Sequence, residues 1–227
     1  MTVLHLADEG EAADLAAFLS RLLHYDRSAA VRLQAAGTAL AVFGRPPSFE
    51  VLAVRAVRLA KPYENGLDVT LDVTVSAGEL LEAVDEQSAT TGVPGAVTGP
   101  PWAGVLPPRG GWRPEAGLPA PDALRALVAA AVAEFRSRTG ELAAEARTRA
   151  ELDRIGRDIW SRTVGDTGLP VRAVHAAQSL GFLRPGARSA EDAPVLFSSG
   201  AWLRLRTPYG SVALRRAGTG ALGISVR

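Results

Sequence analysis

Histidine, lysine and cysteine, the side chains most readily tuned for acid–base or nucleophilic chemistry near neutral pH, are few in this sequence. There are three histidines, His5, His24 and His175, one lysine, Lys61, and no cysteine. A general acid or base needs a group that orients it and a reacting atom within hydrogen-bond reach; nothing near any histidine in sequence completes such a set. His24 falls at the end of a predicted helix, where a cation favours the dipole. His175 falls mid-helix among alanines, as a packed or surface residue. Asp68 and Asp72 share one predicted strand face, but four strand residues hold them about 13 Å apart. That is too far for a working carboxylate pair, and both are expected to be solvated. Gly218-Thr219-Gly220-Ala221-Leu222-Gly223 matches the dinucleotide pattern letter for letter. That pattern needs a following helix to hold a pyrophosphate, and only four residues remain, so it reads as a turn entering a last strand. Phosphate-loop, serine-elbow and paired-histidine zinc motifs are absent from the sequence. The expectation is therefore no catalytic residue, no metal site and no cofactor.

Binding chemistry is better supplied. Residues 99–114 set Trp102, Arg109, Trp112 and Arg113 on a backbone stiffened by Pro100, Pro101, Pro107 and Pro108. Tryptophan and arginine carry much of the energy of protein contacts, so the loop reads as a partner surface; the two tryptophans could also pin it to its own core. A second group lies near the C-terminus, where residues 202–206 and 212–216 flank Thr207-Pro208-Tyr209-Gly210, a turn with Pro second and Gly fourth. With a two-residue loop, Leu203 and Leu205 share a face with Val212 and Leu214. The other face then carries Trp202, Arg204, Arg206 and Arg215, suited to a cation–π stack or to an anionic ligand. Helical arginines at 136, 138, 147, 149, 154, 157 and 162 also invite a nucleic-acid reading. Against it, Glu134 and Arg138, Glu145 and Arg149, Asp153 and Arg157, and Asp158 and Arg162 are spaced i, i+4 with the acid first, which predicts a self-neutralised surface.

These residues need elements to hold them. Leu15, Phe18, Leu19 and Leu22 recur at helical spacing and predict a helix over 11–25 behind Asp8, Glu9 and Glu11. Strands are predicted over 31–35, 39–43, 51–59 and 67–75, the last alternating apolar and polar residues throughout. Ser76 and Glu79 form a capping-box pair ahead of a helix over 77–84. From 85 to 120 the pattern gives way to Gly, Pro, Ser and Thr. Helical spacing returns at Pro121 with Leu124, Leu127, Val128, Ala131 and Phe135, and continues to about 160, either as one long helix or as two broken near Gly140. A helix over 170–180 stops at Gly181. The C-terminal hairpin and a strand through Leu222, Ile224 and Val226 close the chain. The fold class is α+β: two α/β lobes with mainly antiparallel sheets, joined by a Pro/Gly-rich loop and a long helical segment. The divisions are 1–90, a helix with four strands; 91–120, the Pro/Gly/Trp loop; and 121–227, the helical segment with the C-terminal strands.

The 227 residues are 47% hydrophobic and 22% charged, ordinary globular usage. Net charge is +1, yet residues 1–120 hold 14 acids and 9 bases while 121–227 hold 10 and 16. That basic half suits nucleic acid, or an acidic lobe docked on a basic one. Absence of cysteine fits a reducing compartment, the N-terminus lacks the basic start of a signal peptide, and no apolar run approaches the roughly 20 residues of a membrane span. A cytoplasmic protein with no membrane contact is expected. The stretch Pro100-Pro101-Trp102-Ala103-Gly104-Val105-Leu106-Pro107-Pro108-Arg109-Gly110-Gly111-Trp112, with the Ala- and Arg-rich usage of a high-GC genome, resembles uncharacterised conserved proteins of actinobacteria; that resemblance implies no activity. The reading the residues favour is a non-catalytic protein acting through contact with another protein or with itself as a homo-oligomer. The alternatives are a nucleic-acid-binding protein using the basic C-terminal half, and an enzyme on an anionic small molecule.

Overall fold

Asp8 starts the first helix by accepting the Glu11 N–H on its side chain at 2.9 Å. After the short strand β1 (Val3–His5), α1 (Glu9–Tyr25) buries Leu15, Phe18, Leu19 and Leu22 along one stripe, two residues longer at its start than its apolar spacing predicts. The computed structural model describes residues 2–61, 71–185 and 193–216. Strands β2 (Ala30–Ala36), β3 (Ala39–Gly44), β4 (Leu52–Arg58) and β5 (Leu71–Ser76) follow in the order expected. Residues 67–70 of the expected fourth strand lie outside the described residues, as do the Gly218–Gly223 pattern and the strand through Leu222, Ile224 and Val226. The Ser76 hydroxyl accepts the Glu79 N–H at 3.4 Å and opens α2 (Ala77–Glu82).

The connection from 85 to 120 is more structured than its composition suggests. It contributes to β6 (Val84–Asp85) and holds β7 (Thr90–Gly92), a 3-10 turn at Pro101–Gly104 and β8 (Arg113–Glu115). Two helices, not one, then span 121–160: α3 (Pro121–Gly140) and α4 (Arg149–Trp160), with Thr148 capping the second. The break follows from Gly140 and from the want of large apolar residues around it. α5 (Val171–Ser179) ends ahead of Gly181, whose φ of +76° is the left-handed conformation a helix stop requires. Strands β9 (Val195–Ser199), β10 (Trp202–Thr207) and β11 (Gly210–Arg215) complete the described chain.

Among the described residues, eight strands form one antiparallel sheet in the order β5-β2-β3-β4-β11-β10-β9-β8, and β1, β7 and β6 form a small second sheet. Each half of the chain thus supplies four neighbouring strands, and the two sets meet where β4 pairs with β11 through Val54–Ser211, Ala53–Val212 and Leu52–Ala213. One face of the large sheet is the floor of the core, with Val31, Leu33, Leu40, Val42, Val57, Leu203, Leu205 and Val212 fully or nearly fully buried with the apolar stripes of α1 and α5. Arg55 lies at the junction of the halves. Its guanidinium donates to the Tyr209 carbonyl at 2.8 Å and to Glu11 at 2.7 Å, with Asp14 at 3.3 Å. Asp14 also holds Arg184, whose guanidinium lies 4.0 Å above the Tyr209 ring. A side chain only 5% exposed thereby joins α1, β4 and the β10–β11 turn.

Candidate contact surface

Among the described residues, the other face of the large sheet carries no α-helix; part of it is crossed by a strap formed from the Pro/Trp loop. At one end the strap is tied to β5, where Val97 N–H donates to the Thr74 carbonyl at 2.9 Å and Ala96 bridges Val75. Arg32 of β2 then donates to the Ala103 carbonyl. Trp102 and Leu106 pack on Phe43, Leu52 and Val54, which point outward from β3 and β4 and are buried by this cover. The Trp112 indole N–H donates to the Pro108 carbonyl at 2.9 Å, and the Ser199 hydroxyl donates to the Gly110 carbonyl at 3.2 Å. The strap ends by becoming β8, hydrogen-bonded to β9.

Where the strap reaches the C-terminal strands it meets the hairpin. Its loop is the two residues Pro208 and Tyr209, since Thr207 pairs with Gly210. Leu203 stands opposite Leu214 and Leu205 opposite Val212, all buried, so the outward face is the one expected: Trp202 opposite Arg215, Arg204 opposite Ala213 and Arg206 opposite Ser211. Arg204 donates to the Ser211 hydroxyl at 2.9 Å and lies 5.8 Å from the Trp112 ring; Arg206 lies 5.6 Å above Phe197 of β9. Burial, and secondarily the charge of Arg206, press the Arg204 pKa below its ordinary value. Among the described residues, Arg204, Arg206 and Arg215 have no carboxylate partner.

Two groups far apart in sequence therefore share one surface. Residues 1–104 match the model of a domain of unknown function (DUF8010), and residues 107–219 match that of a second domain of unknown function (DUF8185). No curated protein matches the chain. The boundary between the two domains falls inside the strap, on the outer face, whereas their strands are continuous through β4 and β11.

Of the eight residues singled out from sequence, Trp112, Trp202, Arg204, Arg206 and Arg215 gather at the β8–β11 end of this face. Trp102 is half-buried under the strap and serves packing. Arg109 is exposed on the strap and its charge helps keep Asp72 ionised. Arg113 pairs with Ser198, the residue that alternates with Phe197, and so stands on the face opposite to Trp112 and Arg204. Phe197 was missed because residues 193–199 carry no strong strand alternation.

Other expectations are corrected. Asp72 is not simply solvated: Gln34 is its cross-strand neighbour, and Arg32 reaches it at 2.7 Å, the main reason its pKa lies below the usual carboxylate range. Glu134–Arg138 and Asp158–Arg162 do pair, at 3.2 and 3.3 Å. Arg149 takes Asp153 instead of Glu145, because Glu145 lies in a separate 3-10 turn before α4. Between helices, Arg138 meets Asp158 at 2.5 Å and Arg162 meets Glu134 at 2.6 Å, closing a four-residue network. His175 is packed, with Phe49 edge-on at 5.1 Å and Trp160 stacked at 4.7 Å; burial pushes its pKa down. No helix among the described residues is long and apolar enough to cross a membrane.

Proposed function

We propose that the protein is a non-catalytic, cytoplasmic contact protein whose binding surface is the outer face of β8–β11, and that it engages an acidic segment of a partner protein. The observation that carries this reading is the cluster of Arg204, Arg206 and Arg215 on one face without acids among the described residues, interleaved with Trp112, Trp202 and Phe197. Arginines whose charge is unanswered gain most from an incoming carboxylate, and the rings beside them exclude water from such a pair. By contrast the helix arginines at 138 and 162 already have acids. The near absence of lysine and the abundance of arginine support a high-GC actinobacterial source.

A second reading is single-stranded nucleic acid, favoured by the same rings standing on adjacent strands beside arginines. One titration separates the two: fluorescence anisotropy of a labelled poly-glutamate peptide and of a labelled single-stranded oligonucleotide at about 50 and 200 mM salt. Peptide binding that falls with Arg206→Ala and Arg215→Ala supports the first. Oligonucleotide binding that falls with Trp202→Ala supports the second. Binding of neither removes both.

A further inference from the structure

α4 carries two stripes. Ile155 and Ile159 go to the core, whereas Arg149, Leu152, Gly156, Arg157 and Trp160 line a groove of about 560 Å³ bounded also by α3, α5 and the 3-10 turn Pro47–Phe49. That volume is in the range of small-molecule sites. Its aromatic wall is Trp160 with Phe135 of α3, ring centres 6.0 Å apart, and His175 stacks on the indole at 4.7 Å.

Gly156 lies in the middle of the helix, where glycine weakens a helix relative to alanine. Packing does not demand it: a Cβ there would sit 3.5 Å from Trp160 Cδ1 and 3.7 Å from Phe135 Cε2, ordinary contacts. Its effect is to keep a methyl group off the edges of both rings where they border the groove.

The remaining wall is cationic, three arginines against two carboxylates. Arg149 has Asp153 at 3.4 Å. Arg172 of α5 has Glu50 against its buried Nε at 3.6 Å, an ion pair just too long for a hydrogen bond, and no other carboxylate among the described residues. Glu50 itself is 71% exposed, so water screens this pair. Arg157 has no carboxylate partner among the described residues. Arg157 and Arg172 line the same wall, so an anion placed between them would meet two guanidinium groups that share one long ion pair.

We propose that this groove binds a small aromatic anion, a flat ring carrying a phosphate or carboxylate, with the ring against Phe135 and Trp160 and the anionic group held by Arg157 and Arg172. This site is separate from the outer sheet face and does not depend on it. Isothermal titration of the full chain with adenosine monophosphate and 2-naphthoate, each a ring with an anion, tests it beside adenosine and inorganic phosphate, which have one part each. At least one aromatic anion should bind tenfold or more tightly than either part. Arg157→Gln and Arg172→Gln should each weaken that binding tenfold or more, and Arg206→Ala should leave it unchanged. Gly156→Ala should weaken it as much while holding or raising the melting temperature, so loss of binding cannot be blamed on loss of fold. No binding by either aromatic anion overturns the proposal; so does equal binding of phosphate alone, or binding that Gly156→Ala and Arg157→Gln leave intact.

Discussion

Four residues show how little of a position's role is written in its immediate neighbours. Gly210 has φ +153°, and a Cβ there would fall 2.5 Å from the buried Phe182 ring, which stacks on Phe18. Gly210→Ala should cost about 2–3 kcal/mol, read as a lower denaturant midpoint at unchanged slope; the turn pattern announces a glycine here, though not the ring above it. His175, enclosed by Phe49 and Trp160, prefers its neutral form. The unfolded chain takes up the proton near its ordinary pKa of about 6.5, whereas the folded one resists until lower pH. Stability should therefore be unaffected above that value and fall as pH drops below it, down to the folded pKa. Thermal melts between pH 7 and 5 should show this loss, and His175→Phe should flatten the slope over that window. Arg206 and Arg215 are exposed and without ion-pair partners among the described residues, so Arg206→Ala and Arg215→Ala should stay within about 0.5 kcal/mol of the parent stability. Any larger loss would mean that they are structural.

The elements themselves were largely legible. Period-two alternation found β5, a capping pair found α2, and the apolar stripe found α1, because each is a local signal. What local signals miss is the meeting of elements. The hairpin face was read correctly from its turn, but nothing in residues 202–216 says that Trp112 would lie beside Arg204. The i, i+4 rule found two of the four helix pairs it proposed and could not see Arg138–Asp158 or Arg162–Glu134, which need α3 and α4 side by side. The strap is the clearest case, since a Gly- and Pro-rich composition suggests looseness while its anchors lie on distant strands. Trp102→Ala should remove the main cover of Phe43, Leu52 and Val54, at a cost of about 1–3 kcal/mol for a half-buried ring. Limited proteolysis checks it: the parent should resist cutting between 100 and 114, and the variant should be cut there early.

At the scale of the whole molecule, the expected division into two lobes describes how the strands are made but not how they are joined. The pairing of β4 with β11 depends on residues more than 150 positions apart, beyond the reach of any periodicity. Arg55 secures that junction. Arg55→Met should cost about 3 kcal/mol, the low end for breaking a buried ion pair, because Arg58 and Arg184 still answer Glu11 and Asp14; chemical denaturation would measure it. The same junction has a consequence for the chain as it leaves the ribosome. β4 is complete once residue 58 has been made, but its partner starts at residue 210. At about 5–20 residues per second, the nascent N-terminal half would wait roughly 8–30 s with the Leu52-Ala53-Val54 edge bare. An unpaired apolar strand edge is a template for another chain. Translation stalled in this interval would release a product whose most adhesive segment is the one that the finished protein places at the centre of its sheet.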